Sequence, residues 1–182
     1  MRIYLIRHGE AAASWSQSPD PGLSERGQEE ARDAAERVAR TLGPDAAIVS
    51  SPLLRAQETA EPLAELLELP IHVDAGFREI PSPVPLAERQ DWLRQFMRER
   101  WDQQSPELHR WRDQALTRLR AMPQPTAVFT HFLVINAVVG RLTGKAETLC
   151  CWPGNGSVTE LALRDGALEL VALGAQMDSV VN

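Results

Sequence analysis

Four short polar clusters in this chain share a chemistry. Arg7-His8-Gly9-Glu10 closes the first apolar run, Ser50 to Arg55 the second, Asp74 to Glu79 the third and Thr130-His131 the fourth. Arginine presents a rigid fork of donors that matches phosphate oxygens, so Arg7 and Arg55 suit a phosphate clamp. A histidine held between such cations has its pKa pushed down and keeps a nucleophilic lone pair. A second histidine, if charged, stabilises the charge on a phosphoryl group in transfer. A carboxylic acid can give its proton to the departing alcohol. The set predicts a phosphoryl-transfer site with no metal and no cofactor.

Such a site needs strands that end at one edge. Residues 2–6 and 46–50 read as short buried strands, 71–74 as a brief third and 126–130 as a fourth. Helical spacing follows: Ala31, Ala34, Ala35, Val38 and Leu42 after a Ser24 cap, and Leu53, Ala56, Ala60, Leu63 and Leu67 after Ser51-Pro52. Ser51 reads as the cap of that second helix and Pro52 as its first residue. Residues 14–22 and 76–85, rich in proline and small polar residues, read as loops. Residues 86–120 read as charged helix broken near Ser105-Pro106, and 132–142 as an apolar helix ending at Gly144. Strands over 157–163 and 168–173 flank Asp165-Gly166, a hairpin signal. Strand–helix alternation predicts an open, largely parallel sheet with helices on both faces, to which the hairpin adds antiparallel structure. Ligands in such sheets bind beyond the carboxyl ends of the strands, where the four polar clusters fall.

Length and composition agree. The 182 residues suit one domain, 1–182, with residues 76–120 as an inserted or lid-like helical region. Nineteen basic against 25 acidic residues give a net charge of −6, which argues against a nucleic-acid partner. Trp92, Phe96 and Trp101 among arginines read as a packed helix face. The opening apolar run is too short for a signal peptide or a membrane span, so a cytoplasmic protein without a membrane partner is expected. Cys150-Cys151 reads as a buried apolar pair, His72 and His109 as structural or surface residues, and Asn155-Gly156 as a turn.

The opening LIRHGEA resembles that of the histidine phosphatase superfamily, the phosphoglycerate-mutase-like family. GLSERGQEEA at 22–31, SSPLLRAQETA at 50–60, FREI at 77–80, VFTHFLVINAVV at 128–139 and NGSVTEL at 155–161 resemble its later blocks, in its order. The resemblance implies a three-layer α/β/α sandwich with a mostly parallel sheet and an antiparallel C-terminal strand. It implies that His8 forms a phosphohistidine, that Arg7, Arg55 and His131 complete the phosphate pocket, and that Glu79 is the acid and then the base for water. The chain departs from the family at Phe132, where glycine is frequent, after Glu10, where a Thr–Asn pair is missing, and after Glu79, where Ile80-Pro81-Ser82-Pro83 follows.

The expected activity is hydrolysis of a phosphomonoester or phosphoamidate, from a small phosphorylated metabolite or a phosphorylated protein. The rivals are a mutase, which returns the phosphoryl group to substrate, and a catalytically idle phosphate-binding module. For individual residues, Glu10 is a rival acid, and Arg55 has a rival role in pairing with Glu58 or Glu61 on its own helix.

Overall fold

A computed structural model describes residues 1–13 and 18–177, so the first four residues of the expected loop at 14–22 lie outside the described residues. Strand β1 (Arg2–Arg7) sends alternate side chains to opposite faces of a sheet. Ile3 and Leu5 enter one apolar cluster, Tyr4 and Ile6 another. Both faces are covered, which is why the run reads as continuously apolar. Full burial of Ile3, Leu5 and Ile6 stabilises the fold by roughly 1.5–3 kcal/mol each.

Helix α1 (Glu25–Ala39) begins where Ser24 Oγ accepts the Gly27 amide at 3.0 Å. Strand β2 (Ala47–Ser50), helix α2 (Leu54–Leu67) and strand β3 (Ile71–Val73) follow. Helices α3 (Arg89–Phe96) and α4 (Pro106–Arg120) precede strand β4 (Thr126–Thr130) and helix α5 (Phe132–Leu142). Strands β5 (Val158–Arg164) and β6 (Ala167–Ala172) form the closing hairpin. Its turn holds Asp165 and Gly166 at φ of 50° and 79°, the left-handed pair that a two-residue hairpin needs.

The sheet order is β3-β2-β4-β1-β5-β6. Strands β1 to β4 are parallel, while β5 runs antiparallel to β1 and to β6. Ala34, Ala35 and Val38 of α1 and Ala60 and Leu63 of α2 pack on one face. Leu116 and Leu119 of α4 and Val134, Ile135 and Val138 of α5 pack on the other. The result is a three-layer α/β/α sandwich. A third cluster fastens α3 to the outside of α5 through Ile80, Leu93, Phe96, Trp101, Leu133 and Ala137, so the aromatic face over 92–101 is packing.

Two elements differ from the sequence reading. Helix α2 starts at Leu54 with an extended Leu53 before it, so Ser51 is not its cap and Pro52 not its first residue. Ser51 continues the β2 path, its amide bonded to the Phe129 carbonyl, and its hydroxyl is engaged by His131. The interruption in residues 86–120 is also wider than a break near residue 105, running from Met97 to Ser105. The reason is a competing partner. Thr148 Oγ1 bonds the Phe96 carbonyl, the Thr148 amide bonds the Glu99 carbonyl, and the Trp101 amide bonds the Ala146 carbonyl, drawing this backbone out of helix.

Adjacent β1 and β4 feed helices on opposite faces, α1 and α5. Chains that part in this way leave a crevice at the carboxyl end of the two strands.

Candidate active site

Register places the two histidines. Arg7 pairs with Thr130, so His8 and His131 each step out of the sheet one residue later, at the same level. The His8 amide still bonds the Thr130 carbonyl at 3.0 Å, and the two ring centroids lie 5.2 Å apart. On the other side of β4, Ser50 pairs with Phe129, which brings Ser51 beside His131. Arg55, second residue of α2, reaches in between the rings and is 2% exposed.

The hydrogen bonds fix both tautomers. His8 Nδ1 lies 2.7 Å from the Gly9 carbonyl, which can only accept, so Nδ1 carries the proton. Nε2 then holds the lone pair, and it accepts from Arg55 Nε at 3.1 Å. Arg55 also donates through Nη2 to His131 Nδ1 at 3.3 Å, which leaves His131 Nε2–H to donate to Ser51 Oγ at 2.7 Å. Burial, more than the charges of Arg55 and Arg7, holds the His8 pKa down at about 3. Burial first, then His8 and Arg55, holds His131 well below the ordinary range. Both shifts favour the neutral rings.

Arg7 closes the pocket on the β5 side. Its Nη1 donates to the Pro153 carbonyl at 2.8 Å, its guanidinium carbon lies 5.2 Å from the Phe132 ring centre, and its buried Nε has no partner among the described residues. Burial lowers its pKa to about 10, with Glu79 and Glu30 opposing, so it stays charged. Arg55 pairs with Asp20 at 3.9 Å rather than with an acid of its own helix, and Glu58 is bound to the Leu23 amide at 2.6 Å.

Glu79 arrives from the β3 side. Thr130 Oγ1 donates to the Phe77 carbonyl at 2.8 Å and the Phe77 ring is fully buried, which anchors the segment two residues before Glu79. Glu79 is 6% exposed. Its Oε1 accepts the Ile80 amide at 2.9 Å and its Oε2 lies 3.5 Å from the Leu133 amide in the first turn of α5. Burial pushes its carboxyl above the ordinary range, against the Ile80 hydrogen bond and the Arg55 charge. Glu10 faces elsewhere: it accepts from Ser24 Oγ at 2.8 Å and its amide bonds Glu30, so it ties β1 to the start of α1.

The structure thus gathers Arg7, His8, Arg55, Glu79 and His131 in one crevice. It adds residues that the sequence reading did not assign to the site. Ser51 orients His131, and Thr59 binds the Gly9 amide at 3.0 Å. Asn155, read only as a turn residue, lines a cavity of about 300 Å³ with Arg7, His8, Glu79 and Phe132. Its Oδ1 is buried without a partner among the described residues. Gly27 is pressed against the loop after β1, where an added Cβ would lie 2.1 Å from the Glu10 carbonyl oxygen. His72 is exposed on β3, His109 packs against Trp101 and Arg112, and neither lines the cavity beside His8.

Residues 3–176 match the family model for the histidine phosphatase superfamily, branch 1. The chain belongs to that superfamily. A probable phosphoglycerate mutase, GpmB, of Citrobacter koseri is 30% identical over 167 residues, covering 79% of this chain and 75% of that protein. A PE-PGRS family protein of Mycobacterium tuberculosis is 39% identical over 87 residues, 45% of this chain and only 15% of that protein's length. Among solved structures, YhfR of Bacillus stearothermophilus aligns with a TM-score of 0.76 at 21% identity, covering 94% of this chain and 95% of that one. A phosphoserine phosphatase of Entamoeba histolytica aligns at 0.73 and 20% identity, covering 97% and 98%. At that identity the likeness is one of fold. Among the described residues, no helix is long and apolar enough to cross a membrane.

Proposed function

We propose that this superfamily member is a phosphatase that hydrolyses a phosphomonoester or phosphoamidate through a phosphohistidine on His8. One observation carries the reading: His8 Nδ1–H is committed to the Gly9 carbonyl, which leaves the Nε2 lone pair aimed at the Arg55 guanidinium. A phosphoryl group entering that gap draws the Arg55 donors onto its own oxygens and exposes Nε2 to phosphorus. Arg7, Arg55, the His131 ring and the amides opening α5 then surround the transferring oxygens. Nε2 forms the N–P bond as the P–O bond breaks, and the leaving oxygen takes the Glu79 proton. The Glu79 carboxylate next removes a proton from water, whose oxygen attacks phosphorus and breaks the N–P bond. Inorganic phosphate leaves, and both His8 and Glu79 return to their starting forms.

The substrate is a small phosphorylated metabolite, or a phosphorylated protein segment, and no metal enters the cycle. Residues 76–120 act as the cover of the crevice, with Ile80, Leu93 and Met97 among its walls. The phosphoserine phosphatase of like fold supports hydrolysis. The mutase name of the 30%-identical relative supports the second reading, return of the phosphoryl group to substrate.

Rapid quench with 32P-labelled aryl phosphate in the presence of EDTA tests the cycle. The expected result is an acid-labile, base-stable phosphoenzyme that decays to inorganic phosphate and is missing in His8→Ala. A label that persists in His8→Ala would move the nucleophile elsewhere. Transfer to an added alcohol or phosphoglycerate instead of water would favour the mutase, and no labelling at all would favour the idle module.

A further inference from the structure

Cys150 and Cys151 are neighbours and are the only two cysteines of the chain. Cys151 is buried, but Cys150 is only half-buried, so the two are not the wholly buried apolar pair that the sequence suggests. One fully buried residue of α5 clasps both. Asn136 Oδ1 accepts the Cys150 amide at 2.8 Å and the Cys151 amide at 2.9 Å. The Cys150 sulfur lies 3.5 Å from the Asn136 carbonyl oxygen and the Cys151 sulfur 3.5 Å from its Oδ1, which gathers both against the same side chain. The hydrogen bond of the Cys151 thiol, aided by the Lys145 charge, holds the Cys150 thiol below its ordinary value, against burial and Glu147. The same hydrogen bond, with burial, pushes the Cys151 thiol up. A more accessible thiol inclined to ionise thus sits beside a buried one that keeps its proton. Those are the properties of a peroxide-sensitive cysteine and its resolving partner.

The chain that follows the pair leads to Arg7. Trp152 packs against Phe132 with ring centroids 5.7 Å apart, and the Arg7 guanidinium lies over the Phe132 ring. The next carbonyl, that of Pro153, accepts Arg7 Nη1 at 2.8 Å. Neighbouring Cα atoms are about 3.8 Å apart, closer than the roughly 4.4–6.8 Å that disulfides usually bridge. Joining the two sulfurs therefore requires the backbone at 150–151 to move, within two residues of the Pro153 carbonyl.

We propose that Cys150 and Cys151 are a site of reversible oxidation by peroxides, closing to a disulfide ring that withdraws the Pro153 carbonyl from Arg7 and weakens phosphate binding. The Cys150 thiolate first takes an oxygen from hydrogen peroxide, giving a sulfenic acid and hydroxide. The Cys151 thiol then attacks that sulfur. The S–S bond forms, the S–O bond breaks, and the hydroxyl leaves as water with the thiol proton. Both sulfurs are oxidised and one peroxide is reduced. A ring strained in this way reopens readily to a thiol reductant, as a reversible site needs. The effect on Arg7 rests on the phosphatase reading, whereas the chemistry of the pair does not.

The test treats the full chain with hydrogen peroxide and follows intact mass, calorimetric binding of inorganic phosphate and hydrolysis of nitrophenyl phosphate. The wild-type protein should lose two hydrogen atoms without linking two chains. Phosphate should bind about tenfold more weakly, and kcat/KM should fall by on the order of 10–10²-fold. Dithiothreitol should reverse all three changes. Cys150→Ser/Cys151→Ser should keep the kinetics of the reduced protein and lose the response to peroxide. Cys151→Ser alone should gain oxygen at Cys150, because the sulfenic acid has no thiol to meet. A disulfide between two chains, a gain of oxygen in the wild type without loss of hydrogen, or equal inactivation of the double variant overturns the proposal. A ring that forms and leaves phosphate binding unchanged overturns the link to Arg7. If the reduced protein does not hydrolyse nitrophenyl phosphate, the phosphatase reading fails by itself, and mass and phosphate binding still decide the proposal.

Discussion

Glu79 is the side chain whose environment does most to define its task. A carboxyl raised by burial stays protonated above the ordinary range, which is the form a leaving alcohol requires. Glu79→Gln should therefore lower kcat/KM for alkyl phosphates by about 10²–10⁴-fold while sparing that for nitrophenyl phosphate, whose phenolate departs with little help, although kcat falls for both esters because the base for water is gone. In the wild type, kcat/KM for the alkyl ester should fall on the alkaline side as Glu79 loses its proton. The glutamine variant should lack that limb, because the titrating group is gone. Steady-state kinetics across pH with both esters checks this, and equal losses in kcat/KM on both would point to a positional role. His8 sets no comparable limit near neutrality, since a pKa of about 3 keeps its lone pair available from there upward.

Gly9 after β1 and Gly27 at the start of α1 decide how closely that helix approaches β1. An added Cβ at Gly27 would lie 2.1 Å from the Glu10 carbonyl oxygen, and one at Gly9 would lie 2.4 Å from the Gly27 carbonyl oxygen. In an open helix Gly→Ala is stabilising by about 1 kcal/mol. At Gly27 overpacking should outweigh that gain at a cost of about 1–3 kcal/mol, lowering Tm by several degrees and pulling the His8 loop out of line. Gly43→Ala, whose Cβ meets nothing within 4 Å, should leave both Tm and kcat unchanged in the same thermal melt and assay. The elements show what a sequence can and cannot disclose. Arg7, His8 and His131 were readable because each sits at the end of an apolar run, and Ser24 because it precedes a helical period. Ser51 was misread because its hydroxyl is claimed by a ring 80 positions away, a fact set by β4 lying beside β2. Asn155 was passed over for the same reason: nothing local marks a turn as the wall of a crevice.

The whole molecule is acidic while its crevice is cationic, and these fields act over different distances. The net charge of −6 repels an anion from afar, whereas the guanidiniums of Arg7 and Arg55 attract it within a few ångströms. The screening length shrinks from about 30 Å at 0.01 M salt to about 8 Å at 0.15 M and about 3 Å at 1 M. Because the two fields oppose, kcat/KM for an anionic ester should change by less than about threefold between 0.01 and 0.15 M NaCl and fall only above that. A steep, monotonic loss beginning at 0.01 M would show the crevice dominating at long range. The sheet order has a further consequence, for synthesis. Strand β4 lies between β1 and β2, yet it is made some 75 residues after β2. Until it emerges from the ribosome, the two earlier strands have no common neighbour, and their hydrogen-bonding edges remain open to other chains. Pairing of β4 with both strands and assembly of the two histidines are thus one event: His8 and His131 come together as the facing edges of β1 and β2 are covered, while the other edge of β1 waits for β5.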